Sequence, residues 1–130
     1  MEAASALTRE IRVLVVDDEP LFVDMVRAML AAEKGIAVIA TAQDGKAAVR
    51  RSREVHPDVI VMDVSMPVMD GIEATTRILR RDPEASVLIL TGGTDPGDVD
   101  RARKAGASAY ITKDRIATDL IGEIRNLGAG

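Results

Sequence analysis

The sequence predicts an α/β fold: a doubly wound (βα)5 parallel sheet with helices on both faces. Apolar strand-like runs alternate with amphipathic segments from end to end, which is the pattern of a parallel sheet covered by helices. The runs are apolar throughout instead of alternating with polar residues, as expected of strands buried on both sides. Four of them end in residues that can do chemistry: Asp17, Asp63, Thr91 and Lys113. Right-handed crossovers bring all strand C-termini to one edge, and ligands of such sheets bind at that edge.

The first strand is read from Val13-Leu14-Val15-Val16, closing in Asp17-Asp18-Glu19. Leu21, Phe22, Met25, Val26, Met29 and Leu30 then form one helical stripe. Gly35 stands just past its end, where a helix commonly stops. Ile36 to Ala40 reads as a second, short strand. Asp44-Gly45 makes a turn in which Asp44 is placed to cap a helix through about Glu54. Pro57 separates that helix from the third strand, Val59-Ile60-Val61-Met62, which ends in Asp63.

The third helix is expected over about Gly71 to Arg81, stopped by Asp82-Pro83. Val87 to Leu90 forms the fourth strand, ending in Thr91. The stretch Thr91 to Gly97, with Gly92-Gly93 and Asp95-Pro96-Gly97, reads as a flexible loop. A shorter helix over about Asp98 to Lys104 ends at Gly106. Ala109-Tyr110-Ile111-Thr112 is the fifth strand, ending in Lys113, and the last helix covers about Thr118 to Leu127. The expected organisation is an N-terminal tail over 1–10, one domain over 11–127, and a C-terminal end or linker start over 128–130.

Composition narrows the function. At 130 residues the chain has room for one domain with a real core. Apolar residues make up 47% and charged residues 29%, the mix of a globular protein rather than a disordered one. Without cysteine there is neither a disulfide nor a thiolate metal site. Seventeen basic against twenty-one acidic residues give a formal charge of −4, which argues against nucleic-acid binding by this segment. Aromatics at 2% leave no base-stacking platform. No apolar run is long enough to span a bilayer and the start does not read as a signal peptide, so the cytoplasm is the expected compartment. The arginine clusters Arg50-Arg51-Arg53 and Arg77-Arg80-Arg81 are read as solvated outer faces of helices.

If the strands are parallel, one sheet edge gathers the carboxylates of Asp17, Asp18 and Asp63, the Thr91 hydroxyl and the Lys113 ammonium. Three carboxylates supply hard oxygen ligands for a divalent cation, and an ammonium with a hydroxyl suits phosphoryl oxygens. Each residue has a plainer reading on its own. Asp17-Asp18 alone is an ordinary strand-end turn, Thr91 a cap, Lys113 surface charge. Their convergence on one edge promotes them together. His56 is read as structural or solvent-exposed, and Met62, Met66 and Met69 as packing.

In four segments the chain resembles the receiver domain of two-component response regulators. They are Val15-Val16-Asp17-Asp18-Glu19, Asp63 to Gly71, Leu90-Thr91-Gly92 and Tyr110-Ile111-Thr112-Lys113, in the family's order and spacing over about Ile11 to Leu127. The resemblance implies a flavodoxin-like sheet in the order 2-1-3-4-5. It implies Asp63 as phosphoryl acceptor and Mg²⁺ as cofactor, bound directly by Asp18 and Asp63, through water by Asp17, and by the backbone carbonyl of Ser65. Lys113 and Thr91 would contact the phosphoryl group, and Thr91 and Tyr110 would act as the switch. That switch would alter the face built from the fourth helix, fifth strand and fifth helix. The implied partners are a histidine kinase or phosphotransfer protein, with homodimer formation on phosphorylation and DNA reached only through an output domain outside this segment.

One departure bears on the resemblance. Asp114 stands where many receivers carry proline, and a cis bond before a non-proline residue costs about 2.5–4 kcal/mol, so the geometry of that peptide is left open. Lys113-Asp114 and the ending from Leu120 resemble members attached to LuxR-type (NarL-like) output domains. Ser65 and Gly93 are small residues flanking the path of a hydrolytic water, so hydrolysis is expected not to be sterically blocked. Two rivals remain beside the switch. A related aspartyl-phosphate phosphatase would carry a second aspartate two residues after the nucleophile, where this chain has Ser65. A phosphate-independent receiver serving as a dimerisation or binding module would not need all five side chains intact. The chain is therefore expected to catalyse its own phosphorylation without being an enzyme of the usual kind.

Overall fold

The computed structural model describes residues 9–92 and 96–129. Gly93, Gly130 and most of the expected N-terminal tail lie outside them. Five parallel strands form one sheet in the order β2-β1-β3-β4-β5. They are β1 (Ile11–Val16), β2 (Ile36–Ala42), β3 (Val59–Asp63), β4 (Ser86–Thr91) and β5 (Ala109–Thr112). The helices are α1 (Pro20–Ala31), α2 (Gly45–Val55), α3 (Gly71–Arg81), α4 (Pro96–Ala105) and α5 (Ile116–Ala129), with a 3₁₀ turn over Lys113–Arg115 before α5.

Alternate strand residues feed two cores, one on each side of the sheet, because successive side chains of a strand point to opposite faces. Leu14, Val16, Ile60, Met62, Val87 and Ile89 pack beneath α2, α3 and α4. Val13, Val15, Val59, Val61, Leu88 and Leu90 pack beneath α1 and α5. Every residue of β3 is buried. This is why the central runs are apolar at each position.

Helix entries follow local chemistry. Asp44 caps α2 by accepting from the Ala47 N–H at 2.7 Å, and Asp70 caps α3 by accepting from the Glu73 N–H at 2.8 Å. Gly35 and Gly106 adopt φ of +82° and +99° just past α1 and α4, the left-handed conformation glycine tolerates best. His56 ends α2 in the same region at φ +48°, and its carbonyl accepts from the Arg12 guanidinium at 2.7 Å. Its side chain is exposed, one of the two readings the sequence offered.

Several boundaries differ from expectation. β2 continues through Thr41 and Ala42 because an irregularity between Val13 and Leu14 lets both pair with the end of β1. α4 begins at Pro96 rather than Asp98, since proline lacks only an N–H that the first turn leaves unused. α5 begins at Ile116, two residues before the expected Thr118, continuing directly from the 3₁₀ turn, and runs to Ala129. No cis peptide occurs among the described residues, so the Lys113–Asp114 bond is trans.

Candidate functional site

The site lies where β1 and β3 sit side by side and their outgoing chains part to opposite faces. The register pairs Val16 with Met62, which sets Asp17 level with Asp63 one step beyond. Asp63 pairs with Leu90 and Thr91 with Thr112, so Thr91 and Lys113 arrive at the same edge. Sheet register thus assembles residues far apart in sequence.

Asp17 is buried and fully engaged. One carboxylate oxygen accepts from the Glu19 N–H at 2.9 Å and the other from the Lys113 ammonium at 3.1 Å. The same ammonium stands 3.3 Å from Asp63 Oδ1. Oxygens of Asp17, Asp18 and Asp63 lie within 4.8 Å of one another, with Asp18 exposed and the other two buried. Such a spacing matches the reach of one cation. It is also electrostatically costly without one.

That cost shows in Asp63. Burial first, and then repulsion from Asp17 and Asp18, push its carboxyl up from 3.8 to about 6 against the pull of Lys113. For Lys113, burial works against the ammonium, but Asp63 and Asp17 outweigh it and leave the pKa raised. One ammonium therefore holds two buried carboxylates without neutralising the cluster. The donor set, three hard carboxylate oxygens in deficit of positive charge, fits Mg²⁺ well.

The loop after β3 is held tightly behind Asp63. The Val64 N–H donates to the Leu90 carbonyl at 3.1 Å and the Gly71 N–H to the Val64 carbonyl at 2.9 Å. A Cβ on Gly71 would run into the Asp63 carbonyl, and one on Gly45 into the Met69 carbonyl, so both positions need glycine for close approach. Ser65 is exposed on this loop, beside Asp18 on the rim of an open cavity of about 530 Å³. Asp70, Asp98 and Arg101 close its far side, with Arg101 3.1 Å from Asp98 and 3.4 Å from Asp70.

Thr91 is buried at the end of β4. Tyr110 is half-buried, pairs with Ile89, and packs against the core beneath α2, α3 and α4 rather than beside the carboxylates. Met62, Met66 and Met69 belong to that core too, as expected of packing residues. The sequence reading did not anticipate Phe22, whose ring lies 4.4 Å from the Lys113 ammonium. Its only signal was a place in the apolar stripe of α1.

A family model for the response regulator receiver domain matches residues 13–125. The chain belongs to that family. It is 36% identical over 121 residues to the transcriptional regulatory protein DegU of Brevibacillus brevis, covering 93% of this chain and 51% of that protein. The receiver thus spans about half the length of this curated relative. Among solved structures, a LuxR-family two-component response regulator from Aurantimonas sp. SI85-9A1 superposes with a TM-score of 0.88 at 37% identity, covering 93% of this chain and 86% of that one. A chain of the CheX–CheY–BeF3–Mg²⁺ complex from Borrelia burgdorferi superposes with a TM-score of 0.78 at 26% identity, covering 88% of this receiver and 90% of that chain. The fold is the flavodoxin-like receiver fold, and the LuxR/NarL-type resemblance agrees with these relatives.

Proposed function

We propose that this receiver is a phosphorylation-controlled switch in which Asp63 accepts a phosphoryl group from the phosphohistidine of a histidine kinase or phosphotransfer protein. A carboxylate oxygen of Asp63 attacks phosphorus, the P–N bond breaks, and the electron pair leaves with the imidazole nitrogen, giving an acyl phosphate. The observation that carries this reading is the Lys113 ammonium held 3.1 Å and 3.3 Å from Asp17 and Asp63 within a three-carboxylate cluster.

Asp17, Asp18, Asp63 and the Ser65 carbonyl are the residues that would hold Mg²⁺, which supplies charge neutralisation at the phosphoryl oxygens when bound. A relative captured in a BeF3–Mg²⁺ complex supports this assignment. Lys113 keeps its ammonium over the acceptor, ready to turn a donor from Asp63 toward a phosphoryl oxygen. Thr91 donates its hydroxyl to another such oxygen. Tyr110 then moves inward, and the face of α4, β5 and α5 changes. The change is a population shift, driven by whatever affinity difference the phosphoryl group has for the two states.

The output is transcriptional, through a DNA-binding segment outside this chain, as the names of its relatives suggest. Phosphorylation promotes homodimerisation, and the protein acts in the cytoplasm. No helix among the described residues is long and apolar enough to cross a membrane. The receiver turns over no external product, and Ser65 in place of a second aspartate speaks against a phosphatase of related topology.

Backbone-amide NMR with Mg²⁺ and beryllofluoride tests the reading. Shifts at Asp63, Thr91, Tyr110 and Lys113, absent in Asp63→Asn, are expected. An unresponsive Lys113 loop and an unchanged oligomeric state would favour a phosphate-independent binding module instead.

A further inference from the structure

We infer that Phe22 is a positioning residue for Lys113, an aromatic seat that keeps the ammonium over the acceptor carboxylate. The inference rests on the proposed role of Asp63 and adds a residue that neither the motifs nor the carboxylate cluster contains. An ammonium has three donors. Two face Asp17 at 3.1 Å and Asp63 at 3.3 Å, and the Phe22 ring centroid lies 4.4 Å away. This is well inside the range in which a cation is attracted to a ring face. Phe22 is the only phenylalanine of the chain.

The placement follows from the fold. Pro20 opens α1 immediately after the carboxylate pair, and the Glu19 N–H is tied to Asp17. Phe22 packs against the core beneath α1 and α5, to which Ile111 of β5 and Ile116 of α5 also belong. The ring is therefore held against the same core as β5, the strand that delivers Lys113. Lysine has a flexible four-carbon stem, so its charge needs something to restrict it. A third carboxylate would do so, but it would compete with phosphoryl oxygens for the ammonium. A ring stabilises the cation without accepting its strong hydrogen bonds. Two donors thereby stay free to pass from carboxylate to phosphoryl oxygen.

The test uses Phe22→Leu, which keeps an apolar side chain of similar bulk, and Phe22→Tyr, which keeps the aromatic face. Adduct formation from acetyl phosphate is followed by intact mass at saturating Mg²⁺, with Asp63→Asn as the control. The Lys113 side-chain protons are followed by NMR in the same samples. Phe22→Leu should slow phosphorylation about 3–10-fold, chiefly in the maximal rate, while Phe22→Tyr stays within about twofold of wild type. The upfield ring-current shift at Lys113 should vanish in the leucine variant and persist in the tyrosine variant. Equal rates and unchanged Lys113 shifts in Phe22→Leu would overturn the inference. So would equal slowing in both variants, since packing alone would then explain it. Failure of wild type to form any adduct would strike the acceptor role of Asp63 instead, and the Lys113 shift would still read the contact.

Discussion

Removing the charge of Asp63 should stabilise the metal-free protein at neutral pH. Burial and Asp17 raise the carboxyl from its ordinary 3.8 to about 6 in the fold. Below both values the group is protonated in either state and has no effect. Between them the unfolded chain ionises while the native state keeps its proton, so stability falls as pH rises. Above about 6 the full cost is present. A shift of about two units corresponds to about 3 kcal/mol, an upper figure because the native site can relax. The pull of Lys113 is already counted in that net shift. Asparagine resembles the neutral carboxyl in shape, so Asp63→Asn should recover about 1–3 kcal/mol at about pH 8 and little at about pH 4. Urea unfolding in EDTA at both pH values measures the difference. Added Mg²⁺ at about a hundred times its Kd should return about 2.7 kcal/mol to the wild type and close the gap. An Asp63→Asn variant less stable than wild type at about pH 8, or a difference indifferent to pH, would refute the electrostatic reading of the site.

Three further substitutions probe how the site is built. Gly71→Ala should cost about 1–3 kcal/mol in urea unfolding and weaken Mg²⁺ binding, because its Cβ runs into the Asp63 carbonyl and comes within 2.9 Å of Met62 Cγ. Asp44→Ala should cost about 1 kcal/mol by removing the cap on α2, while leaving Mg²⁺ affinity unchanged by calorimetry. Lys113→Ala should tighten Mg²⁺ binding by roughly tenfold, since a competing cation is lost from Asp17 and Asp63. Weaker binding would mean that the ammonium organises the carboxylates rather than competing for them.

Much of the site was legible in the sequence because parallel strands advertise themselves twice. Burial on both faces makes Val59 to Met62 apolar without a break, and the first polar residue afterwards, Asp63, marks the edge that carries the candidate site. The same logic exposed Asp17, Thr91 and Lys113. The strand order was not carried by the runs themselves. It came with the family resemblance and is borne out by the pairing of β1 with both β2 and β3. What stayed hidden was tertiary. Phe22 looked like any other member of the α1 stripe, because nothing local says which core residue a lysine some ninety positions later will meet. The raised pKa of Asp63 likewise depends on distances that only the sheet register sets. Proline at Pro96 read as a loop, yet the first turn of a helix accommodates it.

The most direct measurement is intact mass after incubation with acetyl phosphate and Mg²⁺, on wild type and Asp63→Asn in parallel. Phosphorylation at Asp63 predicts one phosphoryl adduct on the wild type and none on the variant. An adduct on both, or none on folded wild type whether the donor is acetyl phosphate or a phosphorylated histidine kinase, would contradict it.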